Sequence, residues 1–142
     1  GLRLTVHAGE SAIPTSSESI RSALDDLGAE RIGHGVQIHK DPALMEEVAR
    51  RGVLLELCPT SNILTKSIPT LESYPIRQIR AAGVKVSLNA DDPGVFDYDL
   101  NREYRLMADL HGLTADDFAA MNRDARAASF LPEAALRRFS GV

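Results

Sequence analysis

The segment around residue 7 combines two side chains that can do chemistry together. His7 is followed three residues later by Glu10, and Gly9 between them permits a tight turn that bulkier residues adopt less easily. Imidazole is a good ligand for Zn²⁺, and a nearby carboxyl group can act as a general acid or base. A histidine at the end of a strand is also common as an ordinary polar residue, so this segment alone leaves both interpretations open.

Two further segments offer the same kinds of side chain. His34 stands between Gly33 and Gly35, which would let the backbone approach a neighbour or a ligand closely. Asp91 and Asp92 are adjacent, and burying such a pair requires a metal ion, a proton or several hydrogen-bond donors, because the carboxylates repel each other. The structural alternatives are a histidine hydrogen-bonded within a tight turn and an acidic turn on the surface.

Other reactive or polar residues lack comparable surroundings. Cys58 has no neighbour in sequence that would lower the pKa of its thiol, so a small buried apolar role is favoured over that of a nucleophile. Ser61 and Asn62 are interpreted as hydrogen-bonding loop residues. His39 and His111 are interpreted as structural or solvated, and His111 lies near a predicted helix end, where a cation complements the helix dipole.

The elements that must position these side chains are predicted to alternate between strands and helices. Alternating or continuous apolar runs predict strands at 2–6, 31–34, 53–57 and 84–88. Helical spacing predicts a first helix that Ser16 or Ser17 caps and that ends before Gly28. A second helix is predicted between Asp41, its cap, and Gly52. Further helices are predicted over 75–82, 99–110 and 114–129, and after Pro132. The apolar residues at helical spacing on the first helix are Ile20, Ala23, Leu24 and Leu27. The helical stripe assigned to the core comprises Tyr104, Leu106, Met107 and Leu110.

This alternation predicts an α/β architecture, since strands joined through helices pair in parallel by right-handed crossovers. The predicted strand ends at His7, His34, Cys58 and Asn89 are 27, 24 and 31 residues apart, which suits a repeating βα unit. Four such units make about half of a (β/α)8 barrel. The carboxyl ends of parallel strands lie at one edge, so the polar residues that follow them should converge on one pocket.

The composition is that of an ordinary globular domain and excludes several classes of protein. Of the 142 residues, 44% are apolar and 25% are charged, and the formal net charge is -4, so neither nucleic acid nor an anionic membrane is an expected partner. No apolar run is long enough to span a bilayer. The single cysteine excludes an intrachain disulfide and a zinc site of paired Cys-x-x-Cys motifs, and it favours a reducing compartment, the cytoplasm.

Four segments, taken together and in this order, resemble the adenosine deaminase family: TVHAGE at 5–10, RIGHG at 31–35, CPTSN at 58–62 and SLNADDP at 87–93. The resemblance covers nearly the whole chain and corresponds to strands five to eight of the family's barrel. It implies that residues 1–142 are the C-terminal half of a single (β/α)8 TIM barrel of the metal-dependent hydrolase type, followed by C-terminal helices. Because the chain begins without methionine and inside a predicted strand, we expect it to be a fragment.

The resemblance implies a function, the hydrolytic deamination of adenosine, a 6-aminopurine nucleoside, to inosine and ammonia, with one Zn²⁺ in each complete active site. His7 and Asp91 would be zinc ligands. The family's first strand carries a His-x-His pair that supplies two further ligands, and no His-x-His occurs in these 142 residues. Three or four protein ligands are usual for zinc. We therefore expect this chain alone to bind zinc poorly and to be inactive.

The remaining residues implied by the resemblance would handle protons and the purine. Glu10 would donate a proton to purine N1, and His34 would orient and stabilise the attacking hydroxide. Asp92 would hold purine N7, and Gly9 would contact the substrate. The residue types suit this chemistry, because a protonated ring nitrogen makes the attacked carbon electrophilic, and a carboxyl group held in a closed apolar pocket can supply that proton.

Three other interpretations stay open. A relative acting on adenine or another 6-aminopurine derivative would share Glu10 and Asp92. A catalytically silent interaction module is less favoured, since carboxylates destabilise a merely structural core. Another metal hydrolase could use Asp91 as general base on amide or ester bonds. In each case the open edges of a half barrel predict pairing with a missing N-terminal half or with a second copy of the chain.

Overall fold

The computed structural model describes residues 2–139, which fold into alternating strands and helices. The strands are β1 (Thr5–Ala8), β2 (Arg31–His34), β3 (Leu54–Leu57) and β4 (Lys85–Leu88). The helices are α1 (Ser16–Asp25), α2 (Pro42–Arg51), α3 (Pro59–Leu64), α4 (Ile76–Ala81), α5 (Pro93–Phe96), α6 (Leu100–His111), α7 (Ala115–Ala127) and α8 (Glu133–Leu136), with 3-10 turns at Val36–Lys40 and Arg137–Phe139.

Within these residues the strands form one parallel sheet in the order β1, β2, β3, β4. Each strand pairs with the next one along the chain, so every connection is a crossover that contains at least one helix. The register places His7 beside Gly33, and Glu56 lies beside both Gly33 and Ser87. The α/β architecture predicted from the sequence is confirmed.

The two faces of the sheet differ in chemistry, because successive side chains of a strand point to opposite sides. The face turned toward the helices carries the apolar core residues Ile32, Leu55, Leu57, Val86 and Leu88, which are at most 4% exposed. Burying a leucine or isoleucine side chain contributes about 1.5–3 kcal/mol, so this face holds the layers together. The opposite face includes exposed or half-buried polar residues: Thr5, His7, Arg31, Glu56 and Lys85.

Two helix starts predicted from capping residues are confirmed. The side chain of Asp41 accepts a hydrogen bond from the Leu44 N–H over 3.0 Å, and Pro42 occupies the first helical position of α2. Thr114 and Asp117 form a reciprocal capping box at the start of α7. Each cap satisfies backbone N–H groups that the first turn of a helix leaves without an intrahelical partner.

Some predicted boundaries are wrong. β1 begins at Thr5 instead of residue 2, because its ladder with β2 starts there, and it runs through His7 to Ala8. β3 and β4 each begin one residue later than predicted. The N-cap of α1 is Thr15, and Ser16 lies inside the helix; the Ser16 hydroxyl donates to the carbonyls of the preceding turn and is not available as a cap.

Two apolar residues of the predicted helical stripes are exposed. Leu27 is 54% exposed because α1 ends at Asp25, so the helical spacing that would have buried it no longer applies. Leu110 is 40% exposed although it shares the helix face of Glu103 and Met107, and it lies in the last turn of α6. No helix within residues 2–139 combines the length and the apolar character needed to cross a membrane.

Candidate metal and catalytic site

Three potential metal ligands converge at the carboxyl end of the sheet. His7 in β1, His34 at the end of β2 and Asp91 after β4 each offer one donor atom, and these atoms lie within 4.8 Å of one another. The centroids of the His7 and His34 rings lie 5.1 Å apart, and the two ring planes are inclined at 55°. Two imidazoles and a carboxylate are a donor set that suits zinc, and catalytic zinc sites use three protein ligands with one open position. The residues present therefore fit a divalent metal ion.

The backbone is strained at two of these three residues. His34 has φ 63° and Asp91 has φ 57°, in the left-handed region that residues other than glycine seldom adopt. Such conformations cost about 1–3 kcal/mol each and persist when surrounding contacts hold them. Both residues stand where a strand ends, so the left-handed turn redirects the chain at the place where the side chain must face the pocket.

The absence of a side chain at Gly33 makes room for His7. A Cβ at residue 33 would lie 3.2 Å from Cγ and Nδ1 of the His7 ring, closer than about nine in ten real Cβ contacts, so the ring would have to shift by a few tenths of an ångström. His7 and Gly33 are direct neighbours in the β1–β2 ladder, on the same face of the sheet. The glycine therefore lets the imidazole lie flat against the β2 backbone and reach toward His34.

Glu10 reaches the site through a left-handed turn at Gly9. Gly9 has φ +62°, its N–H donates to Ser19 Oγ over 3.0 Å, and its carbonyl accepts from the Gln37 N–H over 2.9 Å. Oε2 of Glu10 consequently lies 3.6 Å from Nε2 of His34. The same nitrogen is 3.7 Å from Oδ2 of Asp91, so His34 stands between two carboxylates.

The other ring nitrogen of His34 is held by Asn62. The Asn62 amide Nδ2 lies 3.2 Å from Nδ1 of His34, and the Tyr74 hydroxyl donates to Asn62 Oδ1 over 2.9 Å. Burial raises the pKa of Tyr74 well above its usual range, which keeps that hydroxyl a donor. Because the oxygen of the amide faces Tyr74, its NH₂ group faces His34, so Nδ1 accepts and the ring proton resides on Nε2.

Asp91 is held by Ser61, whose hydroxyl donates to Oδ2 over 2.7 Å. The interpretation of Ser61 and Asn62 as loop residues is wrong: both lie on the short helix α3, and both are buried, at 1% and 0% exposure. They orient two of the three potential metal ligands. The apolar strand β3 running directly into polar residues was the signal in the sequence that could have identified them.

A cleft of about 370 Å³ lies over these groups and includes His7, His34, Cys58 and Asp91 in its wall. Cys58 is 5% exposed, and burial, together with the nearby charge of Asp91, raises the pKa of its thiol. A thiol that stays protonated is a poor nucleophile. The preference for an inert Cys58 agrees with this environment.

The remaining predicted residues lie as follows. Asp92 is exposed at the N-terminal boundary of α5, where its carbonyl accepts from the N–H groups of Val95 and Phe96. His39 Nδ1 pairs with the Val36 carbonyl, and His111 Nε2 pairs with the Leu71 carbonyl, each over 2.8 Å. Both of those histidines make structural hydrogen bonds, as expected.

Imidazole and carboxylate donors gathered at the carboxyl edge of a parallel sheet define the class of metal-dependent hydrolases built on (β/α)8 barrels. The family model described as adenosine deaminase matches residues 1–140, and the chain belongs to the adenosine deaminase family. An amidohydrolase of Burkholderia ambifaria, solved with bound Zn, superimposes with a TM-score of 0.84 at 27% identity, over 98% of this chain and 38% of that one. The predicted half barrel is thereby confirmed.

Two curated relatives illustrate the range of activities in the family. The chain is 43% identical over 140 residues to the aminodeoxyfutalosine deaminase of Streptomyces avermitilis, covering 99% of this chain and 38% of the relative. It is 44% identical over 133 residues to the adenosine deaminase of Serratia proteamaculans, covering 94% of this chain and 39% of the relative. The chain therefore spans well under half the length of these relatives.

Proposed function

We propose that residues 1–142 are the C-terminal part of a single (β/α)8 barrel domain in a zinc-dependent deaminase that converts adenosine to inosine and ammonia. The observation that carries this proposal is the convergence of donor atoms from His7, His34 and Asp91 within 4.8 Å, with the Glu10 carboxyl 3.6 Å from His34. Family membership supports it, as does the zinc in the Burkholderia structure.

His7 and Asp91 would hold the metal. His34 would not coordinate it, because Nδ1 accepts from Asn62 and Nε2 carries the ring proton. The rest of the coordination would come from histidines in the N-terminal part of the barrel, since catalytic zinc sites need at least three protein ligands. When bound, zinc supplies a nucleophile at neutral pH by lowering the pKa of water to about 7. Residues 1–142 alone are proposed to be inactive for lack of the other ligands.

Glu10 would donate a proton to purine N1. Its side chain is 28% exposed, and Oε2 lies 3.6 Å from Nε2 of His34. His34 presents the N–H of Nε2 between Glu10 and Asp91, where it can donate to the oxygen that attacks the purine. Asp92 would accept a hydrogen bond at purine N7. Gly9, whose N–H and carbonyl are both engaged, would contact the substrate through its Cα.

The substrate class is a 6-aminopurine nucleoside, and adenosine is proposed as its member. The residues assigned here would contact only the purine, and the name of the Streptomyces relative, aminodeoxyfutalosine deaminase, supplies a second substrate to test. Contacts to the remainder of the substrate would come from the N-terminal part of the barrel. A cytoplasmic location is part of the proposal and rests on the single, buried, unpaired Cys58.

The test is a spectrophotometric assay of adenosine loss, with zinc, using the full-length protein that contains these residues. Glu10→Gln removes the proton donor and should lower kcat by about 10²- to 10⁴-fold, the usual contribution of a general acid. Glu18→Gln, at an exposed position in the first turn of α1, is the matched control and should retain the parent rate.

Equal rates for the parent and Glu10→Gln would remove Glu10 from the reaction. Aminodeoxyfutalosine and adenine, assayed in parallel, decide the substrate: a higher kcat/KM for either than for adenosine would overturn the choice of adenosine. Hydrolysis of amides or esters with no action on purines would favour the alternative in which a metal hydrolase uses Asp91 as general base. No turnover of any of these would favour the silent module.

A further inference from the structure

A buried carboxyl group that the proposed reaction does not use lies beneath the site. Glu103 on α6 is 0% exposed, and burial raises its pKa. Its two oxygens accept separate hydrogen bonds from one residue: Oε2 accepts from the Thr60 N–H over 3.0 Å, and Oε1 accepts from the Thr60 hydroxyl. An acidic side chain is seldom fully buried unless hydrogen bonds or an ion pair offset the free-energy cost of its desolvation.

These contacts give α3 a cap that its own sequence lacks. The N-cap residue of α3, Cys58, makes no side-chain capping bond, and Pro59 has no N–H to satisfy. The first free N–H of the helix is that of Thr60, and Glu103 accepts it from a different helix, 43 residues further along the chain. Glu103 therefore fixes the N-terminal end of α3 to α6.

The helix so fixed is too short to hold its own position. α3 has six residues, whereas isolated helices need about 12–15 residues to be even marginally stable in water. The two residues after Thr60 are Ser61, which donates to Asp91 over 2.7 Å, and Asn62, which lies 3.2 Å from Nδ1 of His34. A shift at Thr60 is thus transmitted directly to both side chains.

We propose that Glu103 is a positioning residue for the metal site, which acts by capping α3 from α6 so that Ser61 and Asn62 hold Asp91 and His34 in place. This inference rests on the proposed function for its kinetic consequences. Its structural consequence, the geometry of the donor atoms, is independent of the substrate.

The experiment uses the full-length protein with Co²⁺ as a spectroscopic substitute for the native metal. Glu103→Gln keeps the size of the side chain but places an NH₂ group against one of the two Thr60 donors. We expect a changed Co²⁺ absorption spectrum, and kcat lower by about tenfold to a hundredfold with KM changed less than about twofold, because displacement of site groups by ~1 Å can cost about 10² in rate.

Three single variants and one double variant separate positioning from general stability. Thr60→Ser retains both donors and should keep the parent spectrum and rate. Thr60→Val removes the hydroxyl, and combining it with Glu103→Gln should add little to the single change, since the two residues act as one contact. Asp109→Asn, at an exposed position on α6, is the matched control and should change neither the spectrum nor the rate.

A lower Tm with an unchanged Co²⁺ spectrum and unchanged kcat would reduce Glu103 to a structural residue and overturn the inference. Should Glu103→Gln fail to fold, Thr60→Val gives the decision through the same two readouts. A spectrum that changes in a protein with no activity on purines would sustain the positioning role and refute the proposed function. Activity on purines that neither Glu103→Gln nor Thr60→Val alters would support the proposed function and overturn the positioning role of Glu103.

Discussion

The amide of Asn62 and the imidazole of His34 are 28 residues apart in sequence and lie 3.2 Å from each other in the structure. Because the Tyr74 hydroxyl occupies the oxygen of that amide, the NH₂ group is left for Nδ1, and the ring proton of His34 is placed on Nε2. This nitrogen faces Glu10 and Asp91 at 3.6 and 3.7 Å. Two buried side chains, Asn62 and Tyr74, thus determine what His34 can donate.

Replacing Tyr74 by phenylalanine should destabilise the protein measurably. The change leaves Oδ1 of the fully buried Asn62 without its donor, and an unsatisfied buried acceptor costs about 1–3 kcal/mol. Urea unfolding gives the difference. Tyr104→Phe is the matched control, since its hydroxyl donates to the exposed Asn122, which water can satisfy, and the loss there should be under about 1 kcal/mol. Equal losses for the two variants would contradict the assigned network.

Gly33→Ala should weaken metal binding. The added Cβ would lie 3.2 Å from two atoms of the His7 ring, so the imidazole must move away from the β2 backbone and from the other donors. We expect the dissociation constant for zinc to rise by about tenfold, equivalent to roughly 1.4 kcal/mol. Titration of the metal-free full-length protein with a competing chelator measures it.

Gly94→Ala is the control for this change, because a Cβ at residue 94 would meet no atom within 4 Å. It should leave zinc affinity as it is. If Gly33→Ala binds zinc as tightly as the parent, the position of His7 against β2 is not what holds it at the metal.

The capping box of α7 should contribute a pH-dependent part of the stability. The Thr114 N–H, then the Arg80 guanidinium and the Thr114 hydroxyl, lower the pKa of Asp117 from 3.8 to about 2. A carboxylate with a lowered folded-state pKa stabilises the protein fully above its unfolded value, and that contribution is lost as the pH falls from about 4 toward about 2. Asp117→Asn should flatten the stability profile in this window.

Urea midpoints of the parent and the variant, measured at intervals between pH 5 and pH 2, test this prediction. The two curves should lie apart at pH 5 and converge toward pH 2. Asp116→Asn serves as the control, because Asp116 is exposed and the capping box joins Thr114 to Asp117 instead. Parallel curves for the parent and Asp117→Asn would mean that another group carries the acid sensitivity.

Residues 1–142 expressed alone should associate with one another or require the N-terminal part of the barrel. β1 and β4 end the described sheet, and Leu2 and Leu4, which precede β1, are 95% and 39% exposed. Unpaired strand edges and exposed apolar side chains promote pairing with another chain. Size-exclusion chromatography with intact-mass analysis decides, and a stable monomer of 15.4 kDa would contradict the expectation.

The parts of the fold that the sequence predicts correctly are those fixed by interactions between residues close together in the chain. Asp41 and Thr114 cap their helices because a capping side chain acts on N–H groups two or three residues away, within reach of a sequence pattern. β2 occupies the predicted residues 31–34, and the left-handed conformations of His34 and Gly35 end it. The ends that were misplaced, such as the start of β1, depend on where a neighbouring strand offers a partner.

The sequence by itself determined the βα repeat, the segments that carry imidazole and carboxylate groups, and the edge of the sheet at which they meet, because strand direction and side-chain alternation follow from local spacing. Only the tertiary structure decided that Ser61 and Asn62 lie on a helix and orient Asp91 and His34, and that Glu103 is buried beneath them. Those relationships join residues 28 to 43 positions apart, and no periodicity records a contact between two side chains so distant along the chain.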